Sequence, residues 1–264
     1  MTQNRYGKRS QLQLQIRQGE KRSLLEHAGF TAPFKITSPF YDENGNMRIM
    51  IMSVSAGIMA GDHQLVEIDV QEKARAEILS QSYEKIHRMP PGDSAVRETR
   101  IKVASGGLLI YSPLPVIPYA ESAFRNDTHI YLEDHTARLF YSEILACGRV
   151  SRGERFAFQS YRSLLKISGA DGLIYLDNSC YRPEENDLQS YCMFEGFTHL
   201  SNLLLVNIKP AGEQYEMLKE LAAGFKDGIA GVSRIGTGDI CIRALANGSE
   251  PILALHESVK EILN

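Results

Sequence analysis

The chain has only four cysteines, Cys147, Cys180, Cys192 and Cys241, and no two of them stand in a Cys-x-x-Cys spacing. Neither a zinc ribbon nor a disulfide framework is indicated, and the thiols are expected to be buried or incidental. The seven histidines are scattered, with no HxH or HExxH pair of the kind that holds zinc or iron tightly. A Gly-x-Ser-x-Gly elbow, which a serine nucleophile needs, is missing, as is the Gly-x-x-x-x-Gly-Lys-Ser/Thr loop that cradles nucleotide phosphates. No apolar run reaches the length of a membrane span, and Met1 to Gln18 is polar and lacks the apolar stretch of a signal peptide, so a cytoplasmic protein is expected. Basic charge is not in excess either: 29 Lys and Arg face 32 Asp and Glu, spread without a basic stripe, and nucleic acid is not an expected partner.

What is present is the composition of an ordinary globular protein, 43% hydrophobic and 23% charged, with no low-complexity linker, so residues 1–264 are read as a single domain. Period-2 alternation dominates the first two-thirds. Leu12, Leu14 and Ile16 alternate with glutamines, and Val66, Ile68 and Val70 alternate with Glu67 and Asp69. Three segments have the form strand, polar turn, strand: Leu65 to Ser82 turning near Glu72, Arg97 to Ser112 turning near Ser105, and Thr128 to Ile144 turning near Asp134. Their spacing of about 30 residues points to stacked β units, and no strand-helix alternation before residue 200 supports a dinucleotide fold. Pattern alone leaves sandwich, barrel and solenoid open. Helices are predicted from about Glu213 to Phe225 and after Ser249, the latter read as an N-cap with Pro251 in the first turn; Asp239 to Ala246 reads as a strand between them.

Four segments carry the sharpest signal. They are Ser55-Ala56-Gly57-Ile58-Met59-Ala60-Gly61-Asp62, Gln81-Ser82-Tyr83-Glu84-Lys85-Ile86-His87-Arg88, Leu114-Pro115-Val116-Ile117-Pro118-Tyr119 and Tyr141-Ser142-Glu143-Ile144-Leu145-Ala146-Cys147-Gly148-Arg149. In that order they resemble the UreD/UreH family of urease accessory proteins, over about Leu12 to Ile262. Ser38-Pro39-Phe40-Tyr41, Gln81 to His87 and Cys192 to His199 read like the UreH-type branch. The resemblance implies a mostly β fold, an open helicoid stack of short β-sheets resembling a β-solenoid, with a few peripheral α-helices near the C-terminus.

Taken on their own, the polar residues of these segments have ordinary readings. Asp62 suits a turn, with His63 exposed beside it. Glu143, among apolar neighbours on a strand, must face water, a counter-ion such as Arg149 or Arg152, or an internal cavity; Asp177 in Leu173 to Asn178 is a similar case. Arg149 suits a bidentate pair that anchors the turn after the strand. The resemblance adds that carboxylates matching Asp62, Glu143 and Asp177 are associated with an internal tunnel proposed to pass nickel, with Glu84 near the same path. Glu195 is a further candidate on its carboxylate and the nearby Cys192 and His199 alone. His63 lies outside the family pattern. Spaced oxygen ligands bind Ni(II) weakly enough to let it move on, and such a route is expected to run faster at neutral pH than in acid.

The resemblance further implies a non-enzymatic scaffold. It would bind urease apoprotein together with UreF and UreG, two copies each of UreG, UreF and UreH forming the complex, with GTP hydrolysis residing in UreG. Two other readings remain at this point: a metal-dependent β-fold enzyme using Asp62, His63 and Glu143, and a structural β-stack that never touches metal.

Overall fold

Alternating apolar and polar residues give an extended strand one dry face and one wet face. In the computed structural model, which describes residues 7–42, 45–236 and 238–263, Leu12, Leu14 and Ile16 lie at most 2% exposed on the strand Arg9–Gln18. The strands His63–Val70, Ala95–Val103, Ala123–Leu132 and Ser160–Gly169 repeat the pattern, and the five lie side by side in parallel. Ser23–Phe30 and Gly172–Tyr181 flank them in antiparallel pairing, completing a seven-stranded sheet.

The three strand-turn-strand segments are corners and not hairpins. Each sends its first strand to the seven-stranded sheet and its second, Arg75–Ser80, Leu108–Ser112 or Arg138–Ala146, to an opposing sheet of eleven strands. In that second sheet these strands and Met47–Ser53 run parallel, and His199–Val206, Asp239–Ala246 and Gly228–Ile235 extend it antiparallel. The chain therefore winds as a solenoid-like stack, each coil adding one strand to each sheet and resting on the coil before it.

Stacking in register aligns like with like. Leu14, Ile68, Ile101, Ile130 and Ile167 form one row of the seven-stranded sheet, and Ala76, Leu109, Leu139 and Val206 form a row of the sheet opposite. These rows flank the corner turns and make the main core. Further from the corners the rows turn polar: Gln64, Arg97, Asn126 and Ser163 on one sheet, Glu143, Asn202 and Arg243 on the other. The stack thus has a dry half and a wet half.

Two helices cover the outer face of the eleven-stranded sheet. Helix α1 (Gly212–Ala223) buries Leu218 and Ala222, and helix α2 (Ser249–Leu263) buries Ile252, Leu255 and Val259. They pack with Phe140, Leu203, Leu205, Ile240 and Ile242. Ser249 is itself the first helical residue, and its hydroxyl meets the Tyr83 hydroxyl at 2.7 Å. The strand Asp239–Ala246 lies where the pattern places it. Cys147 and Cys241 are buried, whereas Cys180 and Cys192 are exposed, and all four are free. Among the described residues no helix is long and apolar enough to cross a membrane.

Candidate functional site

The wet half encloses a cavity of about 150 Å³, lined by hydroxyls of Thr99, Tyr111, Thr128, Tyr141, Tyr161 and Ser163, by the amides of Asn126 and Asn202, and by Glu84, Glu143 and Asp177. Three carboxylates far apart in sequence therefore meet around one space. Glu84 comes from the short strand Glu84–Ile86, Glu143 from Arg138–Ala146, and Asp177 from the edge strand Gly172–Tyr181. Among the described residues no group of three or more His, Cys, Asp or Glu is gathered closely enough to hold a metal ion.

Each carboxylate has its own company. Glu84 is ion-paired with Arg97, whose guanidinium also donates to Gln64 Oε1 at 2.6 and 2.9 Å. Burial opposes the charge on Arg97, but the adjacent Glu84 overcomes it and the guanidinium pKa is raised. Asp177 accepts from Ser179 Oγ at 2.6 Å and pairs with Arg243 at 2.7 Å. Glu143 instead accepts from the Tyr141 and Ser163 hydroxyls, each at 3.3 Å, and forms no ion pair among the described residues. Burial, and then the charge on Asp177, push its pKa up, against hydrogen bonds from Asn202, Tyr141 and Ser163. Burial likewise raises the phenols of Tyr111, Tyr141 and Tyr161, keeping them as neutral donors.

Asp62 and His63 are placed elsewhere. Both Asp62 oxygens accept backbone N–H groups, Oδ1 from Lys8 at 3.1 Å and Oδ2 from Met59 at 2.8 Å, and Asp62 does not line the cavity. His63 faces Glu98 at 3.5 Å. The triad Asp62, His63 and Glu143 is therefore not brought together. Glu195 accepts from the Cys192 backbone at 3.0 Å within an exposed turn. His199 contacts Thr198 Oγ1, and burial lowers its pKa to about 4. Arg149 forms the bidentate pair expected of it, with Glu154 and not Glu143, and stacks over Tyr119 at 4.0 Å.

Arg97 and Arg243 were not visible as site residues in the sequence. The available signal was parity: counting back by twos from Val103 and Ile101 puts Arg97 on the inner face, and counting forward from buried Cys241 does the same for Arg243.

Residues 8–264 match the family model described as UreD urease accessory protein. The chain belongs to the UreD family of urease accessory proteins. It is 37% identical over 261 residues to the urease accessory protein UreD of Acetivibrio thermocellus, covering 98% of this chain and 99% of that one. It is 36% identical over 264 residues to the urease accessory protein UreH of Helicobacter pylori strain J99, covering 98% and 97%. The UreD of Actinobacillus pleuropneumoniae serotype 5b is 33% identical over 246 residues, covering 90% and 91%.

In this UreD-family chain the four segments singled out in sequence are one object in space. Ile58 bridges Ile86 in parallel, Glu84–Ile86 pairs with Val116–Pro118, and Val116 pairs with Leu145. Segments spread over some ninety residues thus form a continuous ladder along the cavity wall, beside a cluster that includes Phe124, Phe156 and Phe194. Gly57 makes the first step possible. It has φ of 144°, and a Cβ there would fall 2.3 Å from the Lys85 carbonyl oxygen, next to the Ile58 N–H bond to that same oxygen. Gly57→Ala is expected to cost about 2 kcal/mol and lower the melting temperature by roughly 5 °C. Differential scanning calorimetry checks this, and an unchanged melting temperature would mean that the ladder is not under that constraint.

Proposed function

We propose that this accessory protein, which catalyses no reaction itself, binds urease apoprotein with UreF and UreG and passes nickel to urease through the cavity between its sheets. GTP hydrolysis is assigned to UreG, and the complex to two copies each of UreG, UreF and the present chain. The observation that carries the reading is the convergence of Glu84, Glu143 and Asp177 on one cavity built by the fold's own stacking, in a wall that is otherwise largely apolar. Its donor set suits transit. Hydroxyl, amide and isolated carboxylate oxygens replace part of a cation's hydration shell without the imidazole and thiolate ligands that would retain Ni(II). The cavity has room for several waters, so an ion need not dehydrate fully to enter. The metalloenzyme reading gains no support, because Asp62 and His63 do not line the cavity that Glu143 lines.

Glu143 is the carboxylate on which transit is expected to depend most, since among the described residues it forms no ion pair. Glu143→Gln keeps the shape and one acceptor oxygen for the Tyr141 and Ser163 hydroxyls while removing the charge. In a reconstituted system of apo-urease, UreF, UreG, GTP, bicarbonate and nickel, it is expected to reduce activation about ten-fold or more while leaving the co-purified complexes intact. Full activation by the variant would reject the carboxylate route and leave a protein-binding scaffold. No activation by the wild-type chain would remove the delivery reading altogether.

A further inference from the structure

The two arginine pairs at the cavity differ in one decisive respect. Arg97 and Glu84 are both enclosed, with side chains 15% and 18% exposed, and Arg97 is additionally held by Gln64. Arg243 and Asp177 are unequal: the carboxylate is 20% exposed, while the arginine side chain is 59% exposed and reaches in from solvent. Arg243 stands in the same cross-strand row as Asn202 and Glu143, and its Nη2 donates to Asp177 Oδ2 at 2.7 Å and to the Tyr175 hydroxyl at 3.2 Å. The guanidinium therefore occupies one of the positions that a cation bound by Asp177 would take.

Resting on the conduit reading above, we infer that Arg243 is a counter-ion latch at the solvent-facing side of the cavity, exchanged for the divalent cation during passage. With Arg243 in place, Asp177 Oδ2 is taken by the guanidinium and Oδ1 by Ser179, and Glu143 is the one lining carboxylate without a basic partner among the described residues. When the long, exposed side chain swings outward, Asp177 and Glu143 are both open to the ion. The exchange swaps one cation for another, so the carboxylates are never left uncompensated together, and when the ion departs the guanidinium returns and opposes re-entry. Arg97 has no such freedom, so Glu84 keeps its counter-ion while the ion passes. Arg243 is thus a positioning residue that acts through Asp177, and it sets how tightly the site holds its cargo.

The test is nickel binding by the full-length chain, followed by isothermal titration with NiCl₂, for wild type, Arg243→Gln, Asp177→Asn, the double variant and Glu143→Gln, each verified as folded by circular dichroism. Removing the competing guanidinium is expected to raise Ni(II) affinity at least about ten-fold in Arg243→Gln. The double variant is expected to lose that gain, because the latch acts only through Asp177. An Arg243→Gln affinity equal to wild type, with Glu143→Gln binding more weakly, overturns the latch and leaves the conduit standing. Wild type and Glu143→Gln binding nickel equally would instead overturn the conduit, and the latch with it. A purely structural role for Arg243 predicts a lower melting temperature with no gain in affinity.

Discussion

Glu77→Ala is expected to destabilise the protein by about 3–5 kcal/mol, a fall of roughly 10 °C in melting temperature. Glu77 lies on Arg75–Ser80 with its side chain 6% exposed, between Lys260 Nζ of helix α2 at 2.7 Å and Arg48 Nε of Met47–Ser53 at 2.6 Å. Lys260 is itself only 11% exposed, and it also pairs with Glu257 at 2.7 Å. Removing the shared carboxylate leaves Lys260 buried with only the exposed Glu257 beside it and facing a half-buried Arg48, which is costlier than losing an exposed ion pair. The same carboxylate ties the C-terminal helix to the coils, so the loss should be accompanied by faster amide exchange along α2. Replacing the pair, Glu77→Leu with Lys260→Met, should recover part of the stability, since the burial cost of those two charges disappears together while Arg48, about one-third exposed, is left to solvent. Urea denaturation of the two single variants and the double one measures the coupling, and a Glu77→Ala loss under about 1 kcal/mol would show that this link is dispensable.

Acid should weaken the protein well before its carboxylates are protonated in bulk. His256 on α2 is 2% exposed, hydrogen-bonded to Ser201 at 2.8 Å, and burial together with nearby Lys260 lowers its pKa to about 3. As pH falls below about 6.5 the unfolded chain takes up this proton and the folded chain does not. The contribution is therefore complete above that value and is lost progressively toward pH 3, at about 1.4 kcal/mol per unit, or roughly 3 kcal/mol by pH 4.5. His199, lowered to about 4 by burial, acts in the same direction. Urea denaturation near neutrality and near pH 4.5 checks this. His256→Gln, which retains a partner for Ser201, should remove about half of the difference, the rest resting with His199; an identical pH dependence in wild type and variant would place the acid sensitivity elsewhere.

Much of the architecture was readable because it is written in local patterns. The alternation in Leu12 to Ile16 and Val66 to Val70 gave strands with the correct inner faces, and the turns near Glu72, Ser105 and Asp134 fall between strands. The stripe of α2 matches its buried face. Corner and hairpin could not be told apart from pattern, because two strands joined by a short polar turn alternate identically whether they pair with one another or diverge to facing sheets. The resemblance supplied what periodicity left open. At the site, Glu84, Glu143 and Asp177 meet around a cavity, but the choice of partners depends on rows assembled across several coils. No local signal in Ser82 to Ile86 names Arg97, and none in Leu173 to Asn178 names Arg243. Asp62 shows the converse: a turn chemistry legible from Gly61 and Asp62 alone, with both oxygens engaged by backbone.

Winding the chain in register has a consequence for how such a molecule can vary. The bore of the cavity is set by one residue per strand in each row, while its length is set by how many coils are stacked. A whole coil inserted between Ala95–Val103 and Ala123–Leu132 would lengthen the lining and preserve its cross-section. A single residue inserted within either strand would turn Arg97 or Asn126 outward and present the solvent face to the interior. Length is thus open to change in steps of about thirty residues, whereas the calibre tolerates almost none.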